Sequence, residues 1–122
     1  MFKCAHVGIV VSNTDLSVDF YCNVLGCKLV DSYQNSFIKL TYLSSGNYTI
    51  ELIQYADKDN RVGSGAVDHL AFKVKDIGEA INKLKGVNVE FIFTEPKLVN
   101  NKKIVFFKGP DSERLELIQE IT

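Results

Sequence analysis

The sequence predicts an α+β fold made of two βαβββ modules in tandem, which together form a mixed β-sheet that lines a cleft. An internal repeat is the first observation behind this prediction: residues 5–20 resemble 68–83, and residues 49–54 resemble 114–119. The second is that each half begins with a β-rich run and continues into an amphipathic helical pattern. Because the two matches keep nearly the same spacing and order, chance similarity is a poor explanation.

Length and composition limit the possible classes of protein. The chain has 122 residues, a formal net charge of −1 and 46% hydrophobic residues, which are ordinary values for a globular domain. This balance argues against a disordered chain and against nucleic-acid binding through a strongly basic surface. We therefore predict a single domain over 1–122, with one module at 1–57, a polar linker at 56–65 and a second module at 66–122.

The first module is predicted to contain one strand, one helix and then three strands. Asn13 is a suitable N-cap for the helix, and Gly26 is a suitable stop. Between them, apolar residues recur at helical spacing, and we interpret Phe20 and Tyr21 as packing residues of this helix. The strands are predicted at 3–11, 27–34, 36–44 and 47–55.

The second module repeats this order. Asp76 is the predicted N-cap, and Glu79 follows three residues later in a variant of the capping box. Gly86 is the predicted helix stop. A turn is predicted at 109–111, where Gly-Pro-Asp interrupts the strand pattern. The strands are predicted at 67–74, 88–95, 102–108 and 113–120.

Two histidines and two glutamates occupy matching positions in the halves. His6 and His69 lie in the first strand of each module, and Glu51 and Glu116 lie in the last. Strand alternation places each glutamate on a half-apolar face, Glu51 with Ile53 and Tyr55 and Glu116 with Arg114 and Ile118, where an ionised carboxylate is costly unless it is paired or bound to a metal. A lone histidine or glutamate in a strand is ordinarily structural, but these two histidines are the only ones in the chain.

A metal site is the functional interpretation of these four residues. If the modules are related by a pseudo-two-fold axis, two imidazoles and two carboxylates converge in one cleft. Such a set suits a divalent transition metal, namely Ni²⁺, Zn²⁺, Mn²⁺, Fe²⁺ or Co²⁺, and is too rich in nitrogen for Ca²⁺ or Mg²⁺. Cys4, Cys22 and Cys27 have no zinc-finger spacing, so we interpret them as small buried residues in a reducing compartment.

Two local motifs carry a resemblance to a known family. His6 is followed by S-x-x-F-Y-x-x-x-L-G at 17–26, and G-P-D-S-E-R-L-E-L stands at 109–117, close to the family pattern D-P-D-G-x-x-I/L-E-L. The chain resembles the vicinal oxygen chelate superfamily over essentially its whole length, and within it is most similar to glyoxalase I (lactoylglutathione lyase). The departures from the second motif, at Gly109 and Ser112, affect the turn and not the glutamate.

The resemblance implies a metal-dependent lyase with a small-molecule substrate. Such an enzyme converts the hemithioacetal of a 2-oxoaldehyde such as methylglyoxal into a 2-hydroxyacyl thioester, by proton transfer through an enediolate that the metal stabilises. It implies Glu116 as the first candidate for the catalytic base and Glu51 as the second, and a homodimer with active sites at its interface. The implied metal ligands are His6, Glu51, His69 and Glu116.

Two positions leave open which thiol such an enzyme would use. Relatives that use glutathione carry an Arg and an Asn where this chain has Val10 and Tyr55. The lysines at 97, 102 and 103 either bind a substrate carboxylate or lie in a solvated loop. The aromatic residues Phe91, Phe93, Phe106 and Phe107 either line the pocket or belong to the core.

Other functions of the same superfamily remain as alternatives. A methylmalonyl-CoA epimerase-like enzyme resembles this chain but carries Gln at the position of Glu51, and a thiol transferase uses the same scaffold. A protein that sequesters a small molecule, as bleomycin-resistance proteins do, needs no metal, so a four-ligand set argues against it. The sequence shows no signal peptide and no apolar run long enough to cross a membrane, so we expect a cytoplasmic protein.

Overall fold

The computed structural model describes residues 5–57, 67, 69–99 and 101–121. The chain divides into two compact units, Met1–Val62 and Gly63–Thr122. Each unit contains one four-stranded mixed sheet and one helical segment, so the prediction of two βαβββ modules is confirmed. Most of the predicted linker lies outside the described residues, and the module boundaries stay predictions.

The first unit places its first and last strands side by side. The sheet order is β1-β4-β3-β2, in which β1 is parallel to β4 and the remaining pairs are antiparallel. Leu43, Ile50 and Leu52 are at most 2% exposed and form the centre of its core. The elements are β1 at Val7–Val10, α1 at Thr14–Asp19, a π-helical turn at Phe20–Val24, β2 at Lys28–Gln34, β3 at Ile38–Ser45 and β4 at Tyr48–Tyr55.

The second unit has the same topology. Its order is β5-β8-β7-β6, with β5 parallel to β8 and the other pairs antiparallel. Val105, Phe107 and Leu115 are fully buried. The elements are β5 at Leu70–Lys73, α2 at Ile77–Gly86, β6 at Lys97–Val99, β7 at Lys102–Lys108 and β8 at Arg114–Glu120.

The predicted strand at 88–95 is wrong. Asn88 takes a left-handed conformation with φ 62°, and the segment after it makes only an isolated bridge between Phe91 and Phe107. Pro96 ends this segment, since proline has no N–H to donate to a neighbouring strand. The strand forms instead at Lys97–Val99, where a solvated loop was one of the two interpretations.

The first helix also differs from a regular α-helix. After Asp19 it widens into the π-helical turn, in which Leu25 N donates to Phe20 O across five residues. Tyr21 is fully buried here, which confirms its interpretation as a packing residue. Gly26 follows with φ 80°, a left-handed conformation that glycine adopts without strain, so the predicted stop is confirmed.

Both helices are capped twice at their N-termini. The side chains of Asn13 and Asp76 accept hydrogen bonds from the third residue after them, as predicted. A glutamine near the end of the last strand caps the same turn. Gln54 Oε1 accepts from Thr14 N at 2.7 Å, and Gln119 Oε1 accepts from Ile77 N at 2.8 Å. Each helix start is therefore held to the strand that carries the candidate glutamate.

No helix in the described part of the chain is long and apolar enough to span a membrane.

Candidate functional site

The first unit brings His6 and Glu51 together. His6 directly precedes β1, and Glu51 lies in the middle of β4, where it is the partner of Gly8 in the parallel ladder. His6 Nε2 lies 3.5 Å from Glu51 Oε1. The imidazole is 39% exposed and the glutamate side chain 12%, so a largely buried carboxylate is paired with an accessible ring.

Gly8 lies beside Glu51 and Ile53. A Cβ at this position would lie 3.4 Å from Glu51 Oε1, an ordinary contact, and 3.0 Å from Ile53 Cδ1, a tight one. A side chain here would therefore press on Ile53 rather than on the carboxylate. The ladder also shows that Val10 and Tyr55 lie on the same face of the sheet as Glu51, because strand residues two apart share a face.

Tyr42 completes the surroundings of this pair. It is the partner of Glu51 in the antiparallel ladder between β3 and β4, and its ring meets the His6 ring edge-on at 5.9 Å. The neighbouring Glu51 carboxylate raises the pKa of Tyr42, because ionising the phenol beside a carboxylate is unfavourable. Glu51 is therefore in contact with an imidazole and a phenol.

The second unit repeats the histidine–glutamate pair. His69 directly precedes β5, Glu116 lies in β8, and His69 Nε2 is 3.2 Å from Glu116 Oε1. The side chains are 35% and 9% exposed, close to the values in the first unit. Phe106 is the strand partner of Glu116, and its ring meets His69 edge-on at 5.3 Å. A phenylalanine thus stands where the first unit has a tyrosine.

Cationic side chains stack on the aromatic residues near the second pair. Arg114 Cζ lies 5.7 Å from the centre of the Phe106 ring, and Lys97 Nζ lies 4.3 Å from that of Phe93. Phe93 in turn packs edge-on against Phe106. Phe107, by contrast, is fully buried, so these aromatic residues are divided between the core and the surroundings of Glu116.

The cysteines take no part in the two histidine–glutamate pairs. Cys27 is buried and Cys22 is partly exposed, and burial raises the thiol pKa of both, so both are neutral thiols at neutral pH. Cys4 lies outside the described residues. In the described part of the chain, no three His, Cys, Asp or Glu residues form a cluster that could hold a metal. The structure therefore brings the four candidates together as two pairs, one in each unit.

The donor chemistry of the pairs fits a divalent transition metal. Imidazole nitrogen and carboxylate oxygen both bind such ions, and a buried carboxylate is stabilised by a nearby positive charge. Sequence reasoning missed Tyr42, Gln54 and Gln119 as parts of the surroundings. The two glutamines carried a signal, since each stands three residues after the glutamate in the repeated L-I-Q segment.

Comparisons with known proteins identify the family of the chain. The profile of the glyoxalase/bleomycin resistance protein/dioxygenase superfamily matches residues 3–117. A lactoylglutathione lyase of Neisseria meningitidis is 32% identical over 126 residues, which cover 97% of this chain and 91% of that protein. The metallothiol transferase FosB of Staphylococcus epidermidis is 28% identical over 114 residues, which cover 92% of this chain and 78% of that protein.

A solved structure shows the same fold. The trypanothione-dependent glyoxalase I of Leishmania major superposes with a TM-score of 0.83 at 22% identity, covering 98% of this chain and 88% of that one. The match of the superfamily profile extends from the first strand to β8 and includes both histidine–glutamate pairs. The chain therefore belongs to the glyoxalase/bleomycin resistance protein/dioxygenase superfamily.

Proposed function

We propose that the protein is a metal-dependent lyase of the glyoxalase I type, which isomerises the hemithioacetal of a 2-oxoaldehyde such as methylglyoxal to a 2-hydroxyacyl thioester. The observation that carries the proposal is the duplicated histidine–glutamate pair, in which the N···O distances are 3.5 Å and 3.2 Å. The same pairing recurs at the corresponding place in both units, as a set of four metal ligands would require. Relatives named lactoylglutathione lyase support the reaction type.

The two pairs are proposed to hold one divalent ion with four protein ligands, contributed by one chain or by two chains of a homodimer. Ni²⁺ or Zn²⁺ is our first choice, and Mn²⁺, Co²⁺ or Fe²⁺ are alternatives. When bound, such an ion would need further open positions to accept the vicinal oxygens of a substrate. The ligands are His6, Glu51, His69 and Glu116.

The chemistry required of the protein is a proton transfer between adjacent carbons. When bound, the metal supplies Lewis-acid stabilisation of the negative charge that develops on the substrate oxygens. Glu116 takes the proton from the carbon that bears the thiol and returns it to the neighbouring carbonyl carbon, while the hydroxyl proton moves between the two oxygens. Atoms and electrons balance within the substrate, so no oxidant or reductant is needed.

A thiol transferase is the second candidate. The superfamily relative FosB is named a metallothiol transferase, and it covers most of this chain. Val10 and Tyr55, at the places where glutathione-using relatives carry Arg and Asn, lie on the face of Glu51, so the thiol that this face accepts need not be glutathione. An epimerase or a non-catalytic sequestering protein fits less well, because neither accounts for a complete pair in both units.

A thiol-dependent isomerase assay tests the proposal. The purified protein is loaded with Ni²⁺ or Zn²⁺ and incubated with methylglyoxal and one of several low-molecular-weight thiols, and thioester formation is followed by absorbance. We expect metal-dependent turnover with at least one thiol, and weaker turnover with glutathione. Metal binding without thioester formation by any thiol would contradict the lyase and favour the transferase.

A further inference from the structure

The first unit contains a cavity on the face of its sheet opposite to the one that carries Glu51. Lys39 and Thr41 of β3 line this cavity, and they alternate along the strand with Tyr42, the partner of Glu51. The cavity lies between the strands β2 and β3 and the helical segment, and its volume is about 660 Å³, within the range of small-molecule sites. A ligand bound here would be separated from Glu51 by the sheet.

Two irregular elements shape the cavity. Gln54 holds the start of α1 to β4, whereas every residue of the edge strand β2 is exposed, so the helical segment leaves β2 uncovered. A bulge interrupts β2 between Leu29 and Asp31, and the π-helical turn supplies Cys22 to the cavity wall. Bulges and π-helical turns are both common beside functional sites. The cavity therefore forms where a strand and a helix both depart from regular geometry.

The walls of the cavity carry opposite charges. Asp15 and Asp19 lie on the helical wall, and Lys28 and Lys39 lie on the strand wall. In the part of the chain that the structure describes, no ion pair joins these aspartates to these lysines. Aspartates four residues apart on a helix repel each other, so a positive charge beside them is favourable. The walls therefore suit a ligand with an ammonium group at one end and a carboxylate at the other.

The strand wall also contains a hydroxyl without a partner. Thr41 is 3% exposed, and its Oγ1 makes no hydrogen bond to any residue that the structure describes. An unpaired buried hydroxyl destabilises a fold, which a ligand with a polar group can offset. Ser32 is the strand partner of Thr41 and lines the cavity with it, and Val18 and Leu29 add apolar surface. Amide groups and small apolar side chains match this lining.

We propose that this cavity binds a short zwitterionic peptide, with its ammonium group at Asp15 and Asp19 and its carboxylate at Lys39. A peptide of a few residues separates its end charges enough to reach both walls, whereas a single amino acid carries both charges on one carbon. Its amide groups bind the hydroxyls of Ser32 and Thr41. The proposal is independent of the metal-dependent function, because it uses none of the four proposed metal ligands.

Titration of the full chain with trialanine tests the proposal, followed by NMR of the backbone amides. Trialanine amide lacks the carboxylate, and N-acetyl-trialanine lacks the ammonium group, so each blocked form removes one end charge from the same peptide. We expect trialanine to shift the amide signals of Cys22, Ser32 and Thr41. We also expect it to bind about fivefold more tightly than either blocked form, the effect of one partly exposed ion pair.

Variants of the two walls separate the end charges. Lys39→Gln should lose the preference for trialanine over trialanine amide, and Asp15→Asn combined with Asp19→Asn should lose the preference over N-acetyl-trialanine. The matched control is Lys75→Gln, which removes an exposed charge from the second unit and should change neither preference. Thr41→Val should weaken the binding of trialanine without lowering the unfolding midpoint, because the hydroxyl that it removes is unpaired in the fold.

The blocked peptides keep the proposal open to contradiction even if a variant fails to fold. If trialanine binds the unaltered protein no more tightly than the blocked forms, or shifts no amide signal at the cavity, the proposal is wrong. An unchanged preference in a folded Lys39→Gln variant would also overturn it. His6→Ala should keep the affinity for trialanine, and a loss there would place the peptide at the proposed metal ligands instead of in this cavity.

Discussion

Glu116 is the residue on which the proposed chemistry depends most. It is nearly buried, lies 3.2 Å from His69 Nε2 and packs beside Phe106 rather than beside a phenol. We predict that Glu116→Gln lowers kcat by about 100-fold or more, the range expected for loss of a general base, while the unfolding midpoint changes little. Activity is measured by thioester formation, and metal content is measured alongside.

Glu120 provides the matched control for this prediction. It lies in the same strand, is 52% exposed and pairs with Lys73 at 3.2 Å, an exposed ion pair of small energetic value. Glu120→Gln should leave turnover unchanged. Full activity of Glu116→Gln would show that another group takes the proton.

Ser112 illustrates how the chain departs from the family turn. The family pattern has Gly at this position, and Ser112 retains the left-handed conformation with φ 64°. A residue other than glycine in that conformation costs roughly 1–2 kcal/mol. Substitution by glycine removes this cost, but glycine has greater freedom in the unfolded chain, which cancels part of the gain. Ser112→Gly should therefore raise the free energy of unfolding by about 1 kcal/mol, measured by urea denaturation.

The neighbouring Asp111 is the comparison for this substitution, since its φ is not positive. Asp111→Gly should not stabilise the protein. A stabilisation of the same size at both positions would point to a general effect of glycine in the turn rather than to relief of strain at Ser112.

Gly109, the other departure from the family turn, is explained by a neighbour. A Cβ at this position would lie within 2.6 Å of Glu113 Oε1, so the buried side chain of Glu113 occupies the space that an aspartate would need. Glu113 Oε1 accepts a hydrogen bond from Asp111 N at 2.8 Å and so closes the turn. The aspartate of the family pattern is therefore replaced by an interaction inside the turn.

At the scale of the elements, a hydrogen bond holds the start of each helix to the strand that carries the glutamate. Gln119 Oε1 accepts from Ile77 N at the first turn of α2, and Gln119 stands in β8, three residues after Glu116. We predict that Gln119→Ala lowers the free energy of unfolding by about 1–2 kcal/mol, because it leaves a helix N–H without this acceptor. The measurement is urea unfolding followed by circular dichroism.

The equivalent glutamine gives a second test of the same contact. Gln54 Oε1 accepts from both the backbone N–H and the hydroxyl of Thr14, at 2.7 Å and 2.6 Å, so Gln54→Ala should cost at least as much. Gln34→Ala, at the exposed end of β2, is the control and should be nearly neutral. Equal small effects at all three glutamines would exclude a special role for this contact.

The elements also show which parts of the fold a sequence determines. Strands such as 102–108 were predicted closely because a short run of β-branched and aromatic residues is bounded by lysines and followed by a turn. The strand at 88–95 was predicted wrongly because its aromatic residues suggest a strand, whereas they pack on β7 from an irregular segment. Local β-propensity cannot distinguish these cases, since tertiary contacts decide them.

For the whole molecule, the internal repeat was the most informative signal. It predicted the equivalence of the two modules, and the structure places each histidine beside the glutamate of its own module. The repeat did not reveal Tyr42, because the alignment relied on the ends of each module and Tyr42 lies in the third strand, where the second module has Phe106. The strand register is needed to find such chemical differences between equivalent positions.

The metal stoichiometry of the purified protein tests the central claim most directly. The metal-free protein is titrated with Zn²⁺ in competition with a chromogenic chelator, alongside His6→Ala and His69→Ala. We predict one tightly bound ion per chain and loss of tight binding in both variants, because the proposed site takes ligands from both pairs for one ion. Two ions per chain, an unchanged affinity in either variant, or no binding at all would contradict the account.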